Sequence, residues 1–407
     1  MSWRNYRLED VCKINIGKTP SRKNPKYWDK EKNGDNVWVS ISDLSKVKDR
    51  SIGDSKEYIS EEGAKLFKPV KKDTLLMSFK LSIGKLAFAK RDVYTNEAIA
   101  AFNINDDANL SSEFLFYYLT FFDWVNETKN DQKLLGRTLN KKKLSQIPIS
   151  IPPLPVQKQI VEKLDVAFAD IDKAISATEK NIENAEAMFK RYLDSIFEGD
   201  TKVDNYKKII DVALIKGGKR VPKGYKLMKE KTEYPYIRVT DFNDEGGICD
   251  ENLQYINEEI FSQIKNYTIS SKDLYISIAG TIGKSGIVPE HLSGANLTEN
   301  ACKLVFKEET SNKFFYYFTK SSSFSFQAKE QTRVAGQPKL ALIRLGEIML
   351  NLPPLSEQEI LLEKFNELER ITLKLRETYE CKISNLESLK TSILNQAFSG
   401  ELTRDAA

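Results

Sequence analysis

Cysteine is scarce in this chain of 407 residues: there are four, Cys12, Cys249, Cys302 and Cys381. None forms a Cys-x-x-Cys pair. A structural zinc site or a disulfide framework is therefore not expected, and a reducing cytoplasm fits. Histidine is scarcer still. The single one, His291, lies between Pro289-Glu290 and Leu292-Ser293, a turn-like setting. Any Ser-His-Asp triad or His-rich metal site would have to use it, and we read it as an ordinary surface residue. No run of 18 apolar residues occurs, so no membrane span is expected. The first ten residues lack the apolar stretch of a signal peptide.

A complete nucleotide-binding loop is also missing. Gly280-Thr281-Ile282-Gly283-Lys284-Ser285 looks like the end of one, but the pattern requires glycine five residues before Gly283, where Ile278 stands. Gly286-Ile287-Val288-Pro289 follows, a poor start for a helix. Nearly the same phrase occurs at Leu81-Ser82-Ile83-Gly84-Lys85-Leu86, without a hydroxyl residue after the lysine. Both copies read as tight turns between strands, with glycine where positive φ is needed. A nucleotide-dependent enzyme would predict ATP binding that Lys284→Ala abolishes.

What the chain does have is repetition. Ile151-Pro152-Pro153-Leu154-Pro155-Val156-Gln157 returns as Leu352-Pro353-Pro354-Leu355-Ser356-Glu357-Gln358, an offset of 201. The offset holds through Ile182 and Ile383, Phe197 and Phe398, and Gly199 and Gly400. Weaker matches precede each copy: Ser42-Asp43-Leu44 with Thr240-Asp241-Phe242, Phe116-Tyr117-Tyr118 with Phe315-Tyr316-Tyr317, and Gly136 with Gly336. The chain reads as globular (1–150), helix (151–200), globular (201–350), helix (351–407), an internal repeat. The fold class is α+β, two mixed α/β domains separated by two long helices.

From Leu164, apolar or small residues fall at Phe168, Ile171, Ile175, Thr178, Ile182, Ala185, Phe189, Tyr192 and Ile196, a heptad seam. Its second copy runs Leu361, Phe365, Leu368, Thr372, Leu375, Tyr379, Lys382, Leu386, Leu389, Ile393. Ser356 and Glu359 read as a capping box, and glycine closes each helix. About 40 residues make roughly 60 Å of helix. Two such stripes in one chain suggest an internal antiparallel coiled coil; packing on the domains or pairing between chains are the alternatives. Within the domains, 37–41, 74–79, 85–89, 236–240, 273–278 and 303–306 read as strands, and 112–128 and 311–327 as aromatic-rich helices. Their aromatic clusters read as core.

The net charge of +4 is unevenly spread. Residues 1–150 hold 27 Lys and Arg against 20 Asp and Glu, and 201–350 hold 22 against 18. The helical stretches are acidic, 6 against 10 and 7 against 10. Basic globular parts suit nucleic-acid phosphates, and acidic helices suit protein partners. The loops sharpen this. Lys18, Thr19, Ser21, Arg22 and Lys23 precede Tyr27-Trp28, and Lys219, Arg220 and Lys223 form a similar stretch. Lys80, Ser82, Lys85, Thr281 and Lys284 belong to the two repeated turns. Arg137, Asn140, Arg333 and Gln337 are able to read base edges. The bland alternative is plain solvation of surface lysines.

Two variable domains, each followed by a Pro-Pro-Leu-x-x-Gln helix, and the ending Ala397-Phe398-Ser399-Gly400-Glu401-Leu402, resemble the specificity subunit of type I restriction–modification systems. Gly17 to Ser21 with Tyr27-Trp28, the Ser-Asp-Leu and Thr-Asp-Phe strand ends and the Ile-Gly-Lys turns are similar to that family's target-recognition domains. The resemblance implies that each domain reads one half of a bipartite DNA target and that the paired helices are a fixed spacer. It implies two methyltransferase subunits as partners and, for cleavage, translocase–nuclease subunits. S-adenosylmethionine, ATP and Mg2+ would serve those partners, with no cofactor or metal in this chain. The target adenine would be flipped into a partner's pocket. The absence of an Asn-Pro-Pro-Tyr motif agrees with this division. A coiled-coil scaffold without sequence-selective DNA binding is the competing reading.

Overall fold

The computed structural model describes residues 3–129, 132–133, 136–198, 205–332 and 338–402. The chain divides into two units, residues 1–177 with 383–407, and residues 178–382. Each combines one mixed α/β domain with segments of both long helices.

In the first unit, strand Arg4–Arg7 pairs antiparallel with Pro148–Ile151 and brings the two ends of the domain together. A five-stranded sheet follows the order Cys12–Ile16, Ile99–Ile104, Leu75–Ser78, Leu86–Ala89, Ser51–Ile52. The first of these strands alternates cleanly: Cys12 and Ile14 are buried, Lys13 and Asn15 exposed. The second unit repeats the plan. Tyr206–Lys208 pairs with Met349–Asn351, and a sheet runs Ala213–Gly217, Ala301–Phe306, Leu274–Ser277, Ser285–Ile287. The α+β repeat expected from sequence is thus present.

Boundaries differ in places. The strand at 37–41 stops at Val39, because Ser40 caps a helical turn, Ile41–Leu44, through Asp43. Its counterpart, Tyr234–Ile237, is likewise followed by a turn, Val239–Asp241. The Ser-Asp-Leu and Thr-Asp-Phe segments are therefore helical turns rather than strand ends. Asp43 is buried and takes hydrogen bonds from the Ser40 amide (2.9 Å), the Ser40 hydroxyl (2.6 Å) and the Ser55 hydroxyl (3.0 Å). The aromatic helices are each split in two, into Ser112–Phe121 and Trp124–Glu127, and into Asn312–Lys320 and Ser322–Gln331. Asp123 and Ser321 cap the second pieces through their side chains. Their aromatic clusters are core: Phe114, Tyr117, Phe314, Phe315 and Phe318 are buried.

The long helices are Leu154–Phe197 and Leu355–Phe398, 44 residues each. Ser356 lies inside the second helix, so the expected capping box is not its start. The Pro354 carbonyl accepts from the Glu357 and Gln358 amides at 2.9 and 3.0 Å, and Pro153 does the same in the first helix. The second helix therefore begins at Leu355, two residues earlier than a Ser356 cap would start it. The repeated glutamine is fully buried. Gln157 accepts from the Ser111 amide (2.9 Å) and donates to the Asn109 and Pro152 carbonyls (both 2.8 Å). Gln358 accepts from Ser311 (2.9 Å) and donates to Glu309 (3.0 Å) and Pro353 (2.8 Å). Each glutamine staples its helix to the N-cap of the aromatic helix.

The pairing is antiparallel within each unit. In the first, Ile160, Leu164 and Phe168 share a core with Leu394 and Ala397, Lys390 bonds Asp172, and Lys163 donates to the Leu402 carbonyl. In the second, Phe197 lies 6.0 Å from Phe365, and Arg376 lies 3.6 Å from Glu186. The helix ends carry their own anchors: Phe398 stacks at 5.0 Å on Phe121, and Phe197 packs at 5.2 Å on Phe314. Of the expected seam, Leu164, Phe168, Ile171 and Phe365 are buried, while Ile175, Ile182, Leu368 and Leu386 are half-buried. Leu375 and Leu389 do not join it; they remain 38% and 46% exposed. Near the second, the core contacts instead come from Ile393, Leu394 and Ala397. Gly199 lies outside the described residues.

Candidate nucleic-acid interface

The two Ile-Gly-Lys stretches are hairpin turns with one hydrogen-bond pattern. Ser78 donates its hydroxyl to the Ser82 carbonyl and accepts from the Lys85 amide (3.1 Å). Ser277 does the same with Thr281 and Lys284 (2.9 Å). Gly84 and Gly283 sit at φ +85° and +89°, a conformation that resists any Cβ. In the second unit Leu274–Ser277 leads through the turn into strand Ser285–Ile287. A phosphate-binding loop needs a helix there, so the turn is not one. Ser82, Lys85 and Thr281 are exposed at the turns. Lys284 is turned back onto Asp244, at 2.8 Å.

The loops that begin at Gly17 and Gly218 are also equivalent. A Cβ on Gly17 would fall 2.3 Å from the Thr95 carbonyl oxygen, and one on Gly218 would fall 2.0 Å from that of Thr298. Only glycine lets the backbone lie this close. Trp38 donates to the Lys18 carbonyl (3.1 Å), and Tyr236 donates to the Lys219 carbonyl (2.8 Å). A large buried aromatic thus pins each loop while the lysine side chains stay exposed.

Several candidate contact residues are held internally. Arg22 makes a bidentate pair with Glu57 and stacks 4.1 Å from the Trp28 ring centroid. Thr19 donates to Glu97, and this bond holds the Glu97 carboxyl below its ordinary range against the opposing effect of burial. At Glu299 burial pushes the carboxyl up, but the Arg220 bond (2.5 Å) and others outweigh it. Ser21 accepts from the Trp28 indole through its backbone (3.2 Å). Lys23 and Lys223 are exposed. Lys80 lies in strand Lys80–Leu81, paired with Gly136–Thr138, the strand that carries Arg137. Asn140 caps the helix Lys141–Ser145 with its side chain, so its carbonyl oxygen is occupied. Arg333, Gln337 and Gly336 lie outside the described residues. His291 is a surface residue, 2.8 Å from Asp250.

The model of the "Type I restriction modification DNA specificity domain" family matches residues 1–184 and again 204–384. The chain belongs to this family. It is 22% identical over 349 residues to the type I restriction enzyme EcoBI specificity subunit of Escherichia coli, covering 76% of this chain and 69% of that one. It is 22% identical to the MjaIX specificity subunit of Methanocaldococcus jannaschii, covering 98% and 93%. Among solved structures, a chain from a type I R-M system aligns over 98% of both chains with TM-score 0.75 and 17% identity. The HsdS subunit of Thermoanaerobacter tengcongensis aligns over 98% and 97% with TM-score 0.54 and 16% identity. These structural matches concern the fold.

The chain also brings Lys18 together with basic residues that the sequence patterns did not single out. In the first unit a cleft of about 550 Å³ lies over the outer face of the strands that carry Lys13 and Asn103. Lys13, Lys18, Lys68, Lys71 and Lys141 line it, and no carboxylate does. Lys13 follows from strand alternation. Lys68 and Lys141 come from distant segments that only the fold brings together. No helix among the described residues is long and apolar enough to cross a membrane.

Proposed function

We propose that this specificity subunit reads a bipartite, asymmetric DNA target, one half with each globular domain, and that the long helices fix the gap between the halves. The observation that carries this is the repeat itself. One domain plan occurs twice, and each copy is stapled by a buried glutamine to a helix of 44 residues. At 1.5 Å per residue each helix spans roughly 66 Å, enough to hold two half-sites about one turn, near 10 bp, apart. Two methyltransferase subunits dock on the domains and helices and transfer methyl from S-adenosylmethionine to adenine, and translocase–nuclease subunits use ATP and Mg2+. The acidic helical stretches favour protein partners over the duplex.

The test is selection of bound sequences from randomised duplex DNA, with the methyltransferase partner present. Two short motifs at a constant gap are expected. No enrichment by a folded, partnered protein would refute the reading and favour a scaffold. Removing one heptad from each helix shortens the gap or abolishes binding; an unchanged target would rule out the spacer.

A further inference from the structure

We propose that the lysine-lined cleft of the first unit is a duplex-phosphate clamp, two of whose lysine positions are leucine in the second domain; this rests on the DNA-reading function above. Four of its five lysines, Lys13, Lys18, Lys68 and Lys141, have no ion pair with a carboxylate among the described residues, while Lys71 is paired with Asp92 at 2.7 Å. Like charges gathered around one cleft repel each other and draw in an anion. The Lys18 ammonium lies 6.0 Å from the Phe67 ring centroid, within the same lining. On the cleft wall, Thr95 carries one of the two buried side-chain polar atoms without a hydrogen-bond partner among the described residues.

The ligand class follows from what the lining lacks. It has no arginine fork for a guanine edge and no carboxylate for a sugar hydroxyl or a cytosine amine. Lysine is a point charge suited to phosphate, and such contacts position the protein without reading sequence. The cleft also includes Gly17 and Lys18, where the exposed loop toward Trp28 begins, so backbone and base contacts would be adjacent.

The asymmetry comes from register. Lys13 faces Asn103 across its strand pair, and the equivalent pair in the second unit is Leu214 facing Val305. Lys141 opens the helix Lys141–Ser145, and Leu342 opens its counterpart Leu342–Gly346. Leu214 is 56% exposed, so hydrocarbon replaces the ammonium group at these two positions, while the second domain carries its own lysines elsewhere: Lys216 faces Lys303 on the same strand pair, and Lys219 lies 5.7 Å from the Tyr267 ring.

The experiment measures binding of the full chain with its methyltransferase partner to the selected duplex over a range of salt concentrations. The triple variant Lys13→Gln, Lys68→Gln, Lys141→Gln is compared with the control Lys46→Gln, Lys48→Gln, Lys90→Gln on the same unit. Each phosphate contact adds about 0.9 to the slope of log affinity against log salt. The clamp variant should lower that slope by about 2 to 3 and keep the same target motif; the control should leave the slope unchanged. An unchanged slope in the clamp variant overturns the proposal. So does lost methyltransferase binding with DNA binding intact, which would assign the cleft to an acidic protein surface. Circular dichroism confirms that the variant is folded. If the wild-type complex selects no motif at all, the DNA-reading function itself fails, a result distinct from failure of the clamp.

Discussion

Replacing Gln358 with leucine tests how the long helix is attached to its domain. The side chain is fully buried and makes three hydrogen bonds, to Ser311, Glu309 and Pro353. Leucine keeps the volume and removes all three. One amide donor and two carbonyls then lose their partner, and an orphaned buried group costs about 1–3 kcal/mol. Carbonyls near the surface recover water, so the expected net loss is about 2–4 kcal/mol, read from the chemical-denaturation midpoint. Amide exchange at Ser311 should accelerate in parallel. Gln358→Glu is the more discriminating variant. It still accepts from Ser311, but as a carboxylate it faces two carbonyl oxygens that it cannot donate to. Its folded pKa should be raised, so the variant is most stable at low pH and loses stability as pH rises through that value. A leucine variant within about 0.5 kcal/mol of wild type, or a glutamate variant with no such pH dependence, would refute the staple. Gln157 and Gln358 share no partner, so the two losses should add.

Phe197→Ala removes a ring packed on Phe314 and Phe318 and should cost about 3–5 kcal/mol in the same assay. Burial pushes the Asp43 carboxyl up, but its bonds from Ser40, Lys56 and Ser55 outweigh this and lower it from the ordinary 3.8. Its contribution is therefore complete above that ordinary value and is lost as pH falls through the depressed one; Asp43→Asn should weaken that acid dependence in a urea titration run against pH. Cys249 and Cys381 are exposed, whereas burial pushes the Cys12 and Cys302 thiols up to about 12. A thiol reagent at neutral pH should therefore label two cysteines quickly and the other two only after denaturation.

Much of the architecture is written in local patterns. Periodicity at 3.5 residues marks the long helices, strand alternation places Lys13 outward, and the 201-residue offset exposes the repeat before any contact is known. These signals survive because each depends on neighbours a few residues away. The glutamine of Pro-Pro-Leu-x-x-Gln is visible as a repeated letter, but its role is not, since two of its three partners are an amide and a carbonyl of a loop 46 to 49 residues distant.

The sequence alone determined that two mixed domains alternate with two amphipathic helices, because hydrophobic period and proline placement act within a few turns of chain. Only the tertiary structure decided which charges are available. Arg22, Arg220 and Lys284 look free in the sequence and are held by Glu57, Glu299 and Asp244. Lys13, Lys68 and Lys141 look scattered and share one cleft. Electrostatic pairing depends on distance in space, and chain order does not encode that distance until the sheets close.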